Sequence, residues 1–195
     1  MLDTNTLGNF YEQFGSGLIL RSWEDRTLGY DNAFEGIRLK YSPYKGVNLK
    51  AVYGNQRVNF SLSEGVVRAF DAEVLVNELL NDSSYSLGTL IVGGSFVSKY
   101  QEDNDPLLIY PENVASFAGR MKYIKGGFDF NAEYVYKMND PSKDNNKIYE
   151  VGRAVKFNAG YSQKGLGVNV GMKSVNNMSF RSDRNEQLTN AFINY

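Results

Sequence analysis

The densest collection of groups able to do chemistry is a run of mixed charge near the N-terminal end: Glu12, Arg21, Glu24, Asp25, Arg26, Asp31, Glu35, Arg38 and Lys40. Carboxylates set among guanidinium and ammonium groups can create a field that sorts passing solutes. The plainer role, and the one expected here, is a network of ion pairs that keeps a polar interior satisfied. Glu24 with Asp25, or Asp71 with Glu73, has the composition for acid-base work. Nothing places a nucleophile beside either pair, and the i, i+2 spacing of Asp71 and Glu73 simply puts both on one face of a strand. The chain contains neither His nor Cys. That removes the usual base for activating Ser or water, His-ligated zinc, thiolate nucleophiles and disulfides. The acidic loops Glu102-Asp103-Asn104-Asp105 and 139–146 carry oxygen ligands but not the D-x-[DN]-x-[DN]-G spacing of a calcium loop, and read as solvated loop tips. Gly165, Gly167 and Gly171 lack the strand-turn-helix setting in which glycines cradle phosphate. No catalytic, cofactor-binding or metal-ligating residue is assigned, no cofactor is expected, and the chain reads as a non-enzyme.

These side chains must be positioned by strands. In residues 128–137, Phe128, Phe130, Ala132, Tyr134 and Tyr136 alternate with Asp129, Asn131, Glu133, Val135 and Lys137, so one face is apolar and the other largely charged. The same period of two recurs elsewhere. Val155, Phe157, Ala159 and Tyr161 oppose Glu150, Lys156 and Asn158; Val168, Val170 and Met172 oppose Asn169 and Lys173; Leu49, Ala51 and Tyr53 oppose Asn48 and Lys50. Reading strands from these alternations predicts spans near 7–21, 33–41, 46–54, 65–77, 86–100, 114–124, 127–137, 148–162 and 166–176, with a last one starting at about 188. No segment of helical period is long enough for a crossover, which leaves an antiparallel meander in a single domain over residues 1–195 with no internal boundary.

The connections alternate long and short. Long polar ones fall near 22–32, 55–64, 101–113, 138–147 and 176–187, and tight ones at 42–45, 125–127 and 163–165. A transmembrane β-barrel has this asymmetry because its two ends differ, with short periplasmic turns and longer external loops. The predicted strands are mostly 9 to 15 residues long, near the 9 to 11 that cross a bilayer and above the globular mean of about 5 to 6. The 14 Tyr, with apolar rings and wet hydroxyls, suit a membrane-water interface. No stretch approaches the roughly 20 apolar residues of a membrane helix. Arg68 and Arg153 fall on the apolar faces but close to long loops, at the rim where charge costs little. The expected fold is therefore all-β, an up-and-down antiparallel transmembrane β-barrel of about ten visible strands. Its polar lumen would be lined by Arg38, Lys40, Asn48, Lys50, Asp71, Glu73, Asp129, Asn131, Glu133, Lys137, Glu150, Lys156, Asn158, Asn169 and Lys173.

The stretch YEQFGSGLILRSWEDRTLGYDNAFEGIRLKYSP and the following KGVNLKAVYGNQR, together residues 11–57, resemble a family of outer-membrane β-barrels of unknown function in the Bacteroidota. The resemblance is looser over the later strands. It implies a signal peptide upstream and further strands downstream, so that these 195 residues are a fragment; against that, the terminal aromatic Tyr195 suits the last strand of a complete barrel, and closure at ten strands stays open. The family implies no catalytic residues.

With a net charge of -1, nucleic acid is not an expected partner. The expected setting is the bacterial outer membrane, with lipid around the barrel and small solutes or other envelope proteins as partners. The expected function is a pore or a structural scaffold of an outer-membrane assembly. A soluble lipocalin-like barrel with its apolar face inward is the alternative, and a membrane-embedded enzyme without His comes third.

Overall fold

The period of two is the dominant signal in the folded chain. A computed structural model describes residues 4–27, 29–58, 61–82, 84–86, 88–103, 107–179 and 182–184. Nine strands form one antiparallel sheet: β1 (Thr4–Phe10), β6 (Phe34–Tyr41), β7 (Val47–Val58), β8 (Ser61–Leu75), β9 (Thr89–Tyr100), β10 (Asn113–Lys125), β11 (Phe128–Lys137), β12 (Gly152–Gln163) and β13 (Leu166–Asn176). Two small hairpins, β2 (Gln13–Phe14) with β3 (Leu20–Arg21) and β4 (Glu24–Asp25) with β5 (Tyr30–Asp31), lie between β1 and β6. Neighbours in the sheet are neighbours in sequence apart from that excursion, as hairpin connections dictate. The sheet is not closed among the described residues, because β1 and β13 are its two edges and do not pair with each other.

Residues 7–21 are not the single strand that the alternation suggests. β1 stops at Phe10, and the chain then leaves the sheet and folds back over one face. Gly15 (φ +53°) and Gly17 (φ +87°) take left-handed backbone conformations that break an extended run, and the consecutive apolar residues Leu18, Ile19 and Leu20 cannot be sorted onto two unlike faces. The face that they cover is the inner face. There Phe14, Leu18, Ile19 and Leu20 are buried against Val52, Val67, Ala69, Val97, Val114, Ala118, Val135 and Ala154 of the sheet. Each of the four is worth about 1.5–3 kcal/mol on full burial. The inner face thus carries a buried apolar patch toward the β9–β10 loop end, with buried Lys99 and Lys137 beside it, rather than being polar throughout.

The outer face is assembled by register. Val47, Val74, Val92, Met121, Ala132, Phe157 and Met172 lie directly opposite one another on seven successive strands, β7 to β13. Beside this row run Leu39, Ala51, Phe70, Phe96, Phe117 and Tyr136 from β6 to β11. Phe70, Val92, Phe117 and Met172 remain 45, 42, 48 and 57 % exposed.

Other spans need correction too. The long connection expected at 55–64 is absent: β7 runs to Val58 and β8 starts at Ser61, with a β-bulge between Asn55 and Arg57 that absorbs the irregularity. The connection between β8 and β9, at the end where tight turns were expected, contains a helical turn, α1 (Val76–Leu79). Asn77 holds it, its side chain accepting from the Leu90 amide and donating to the Gly88 carbonyl. Loop length therefore alternates less strictly than the sequence suggests. Glu150 precedes β12, is exposed, and belongs to no strand, since β12 starts only at Gly152. The expected last strand, from about 188, lies outside the described residues.

Candidate functional site: the charged inner face

Residues 11–22 form a plug over one face of the open sheet, and charge as well as apolar packing fastens it. Glu12 has just left β1, and its side chain is only 5 % exposed. Its Oε2 lies 3.0 Å from Lys40 Nζ and 3.5 Å from Arg38 Nη1, and its Oε1 accepts from Lys50 Nζ at 3.0 Å. Lys40 and Lys50 are directly opposite on β6 and β7, so their ammonium groups would repel without the carboxylate between them. Burial pushes the Glu12 carboxyl up, but the Lys40 and Lys50 ammonium groups more than offset this and hold it below the usual carboxylate range. The Glu12 amide donates to Ser22 Oγ at 2.8 Å, and Lys50 Nζ also donates to the Gln13 carbonyl. Further along, the Ser16 amide donates to Glu133 Oε2 at 2.9 Å, tying the plug to β11.

Below the plug, Arg120 from β10 grips Asp71 from β8 through two bonds, Nη1 to Oδ1 at 2.7 Å and Nη2 to Oδ2 at 3.0 Å. It also reaches Glu73 at 3.2 Å and Ser95 Oγ at 2.8 Å, while Ser95 Oγ donates to Asp71 at 2.6 Å. Charge-assisted, two-pronged contacts of this kind fix geometry as well as energy. Gly93 sits next to Arg120, and a Cβ there would come within 2.6 Å of the guanidinium. That glycine leaves room for the cation. At the opposite end, Lys99 on β9 pairs with Asp140 at 3.0 Å with both side chains fully buried, and Lys137 Nζ donates to the Ser179 carbonyl. At the plug's outer edge, the Tyr11 hydroxyl donates to Asp31 Oδ1 at 2.9 Å, and Arg57 Nη1 meets Asp31 Oδ2 at 2.7 Å.

Cross-strand register places all the anticipated inner residues except Glu150 on this one face. Arg38, Lys40, Lys50, Asp71, Glu73 and Glu133 are drawn into the ion-pair network or onto the plug. Lys137 faces inward but is fully buried, so it lines no open space. Asn48, Asp129, Asn131, Lys156, Asn158, Asn169 and Lys173 lie on the part that the plug leaves uncovered. Glu12, Arg38 and Lys40 of the charged run do form ion pairs as expected, but that Glu12 and Ser16 fasten a plug was not legible, because both fell inside a span read as strand beyond the real end of β1. Sequence reasoning also left out Arg120 and Lys122, although their alternation with Met121 and Tyr123 placed them on the polar face. Asp140 was read as a loop-tip residue, and only the fold brings it under Lys99.

What the arrangement can do chemically is hold charge. Glu12, Asp71 and Glu73 are paired with cations and Glu133 with an amide, and no group of three His, Cys, Asp or Glu side chains suited to a metal ion occurs among the described residues. In comparison with known proteins, the model of a family of unknown function (DUF6029) matches residues 2–195. No curated protein and no solved structure matches the chain.

Proposed function

Since the chain belongs to that family of unknown function, we propose from its geometry that it is a non-enzymatic β-barrel wall of the bacterial outer membrane, facing lipid outward and carrying an internal plug on its polar side. The observation that carries this reading is the unbroken apolar row on seven adjacent strands, Val47 to Met172, in which Val92, Met121 and Met172 are exposed and no member is buried. A soluble protein would leave a patch of that extent in water, where contiguous exposed apolar surface rarely exceeds a few hundred Å²; in a bilayer it is the lipid-facing band. The strands from β7 to β13 are 10 to 15 residues long, enough to cross when tilted. Burial of Phe14, Leu18, Ile19 and Leu20 against the inner face favours a closed scaffold, or a pore that opens only when the plug moves, over a permanently open channel. The missing His and Cys support the non-enzymatic part of the reading.

A chain without Cys allows a direct test with introduced single cysteines. In full-length protein reconstituted into vesicles, F70C and F96C should react with a membrane-impermeant maleimide at least about tenfold more slowly than K45C in a turn, because lipid covers the outer face. Equal rates, with the protein dispersed in buffer without detergent, would overturn the membrane reading in favour of a soluble binding barrel.

A further inference from the structure

The inner face contains the same three-residue arrangement twice. On β6, β7 and β8, Lys40, Lys50 and Asp71 lie directly opposite one another in that order. On β13, β12 and β11, Lys173, Lys156 and Glu133 do the same. In each set two lysines face each other across one strand pair, and the acid on the far side forms no ion pair with them: Asp71 is held by Arg120, and Glu133 accepts the Ser16 amide through Oε2. Like charges directly opposite on neighbouring strands are destabilising. In the first set the repulsion is removed by a carboxylate from outside the sheet, since Glu12 places one oxygen 3.0 Å from each ammonium. The second set has no such group. Lys156 and Lys173 form no ion pair among the described residues, and the plug's contact on this row is with Glu133, one strand before Lys156. Their surroundings favour an incoming anion. Asn158 follows two residues after Lys156 on the same face, and opposite it stands Gly171, which presents no side chain. The next lysine on that face, Lys122, lies across β11 beside Asn131.

We propose that the Lys156–Lys173 pair is an anion-binding site for the carboxylate or phosphate group of a small solute, built on the geometry that Glu12 occupies at Lys40 and Lys50. The site belongs to the inner face of the sheet and does not depend on what covers the outer face.

Full-length protein in detergent, titrated calorimetrically with inorganic phosphate at low ionic strength, tests this. Wild type should bind one phosphate per chain. The double variant K156Q/K173Q should lose at least about tenfold in affinity, as expected when two charge-assisted contacts become neutral. E12A removes the side chain that fills the twin site and should raise the stoichiometry to two, and the triple variant E12A/K156Q/K173Q should return it to one. Circular dichroism of each variant separates loss of binding from loss of fold. Absence of saturable binding by wild type, or undiminished binding by a folded K156Q/K173Q, would overturn the proposal. Either result leaves the maleimide experiment on the outer face unaffected, so the two readings fail separately.

Discussion

At the scale of single residues, Glu12 has the largest role that its immediate sequence does not announce. One carboxylate serves two opposed lysines and an arginine, and it joins the plug to β6 and β7. Replacing it by Gln leaves Lys40 and Lys50 facing each other without a counter-charge, which should cost about 1–3 kcal/mol. The cost should depend on pH in a definite sense. Glu12 is held below its ordinary value of 4.5 in the folded chain, so its contribution is present above that value and disappears as pH falls through the lower, folded one. Denaturant unfolding of wild type and E12Q should therefore differ most at pH 7 and converge in acid; a gap that widens in acid would contradict the latch. Tyr11 behaves oppositely. Burial, with the Asp31 carboxylate beside it, pushes its phenol up to about 12. Its contribution is complete below the ordinary value of 10 and is lost as pH rises through about 12. Y11F should retain stability between those limits better than wild type does, which alkaline unfolding curves would reveal.

At the scale of elements, the plug is more than a loop laid on a sheet. Small residues on the inner face, among them Ala69, Ala118 and Ala154, make the space that Phe14 and Leu18 to Leu20 fill. The fit should be sensitive to volume. Leu20 has no exposed surface, and Leu20→Ala should cost about 2–5 kcal/mol in equilibrium unfolding. A cost near zero would mean that the plug is not packed there in solution. The β6–β7 pairing carries a second constraint, since Gly36 and Gly54 are opposite each other and a Cβ on Gly54 would lie 2.3 Å from the Glu35 carbonyl oxygen. Only glycine permits that close approach, which explains why an otherwise regular strand pair contains two.

At the scale of the molecule, the two faces of one sheet pose opposite solvation problems. Much of the inner face is satisfied from within by ion pairs and the plug, Lys156 and Lys173 excepted. The outer face is left with Phe70, Phe96, Phe117 and their neighbours exposed, with nothing in the described chain laid over them. If lipid is what they meet, a charge among them should be expensive in vesicles. Phe117→Lys should lower folding stability there by about 2–4 kcal/mol, the cost of a cation near the bilayer midplane. In a water-facing sheet the same change should be close to neutral. Comparing folding equilibria of the variant in vesicles with those of wild type decides between these outcomes.

The strand period was legible without a fold. Side chains on a strand alternate by covalent geometry, so residues 128–137 and 166–176 declare their two faces locally, and the register gathers their polar positions on one face of the sheet. Antiparallel order followed as well, because short connections leave few other choices. The course of residues 11–22 was not legible, since an apolar run with two glycines fits a strand or a plug equally well until there is a cavity for it to fill. Nor was the Glu12 latch, the Lys99–Asp140 pair or the repeated Lys-Lys-acid row, each of which joins residues distant in sequence. Alternation fixes which face a side chain takes; which side chains meet on that face depends on register and on what folds over it, and those are long-range packing outcomes that only the tertiary structure decides.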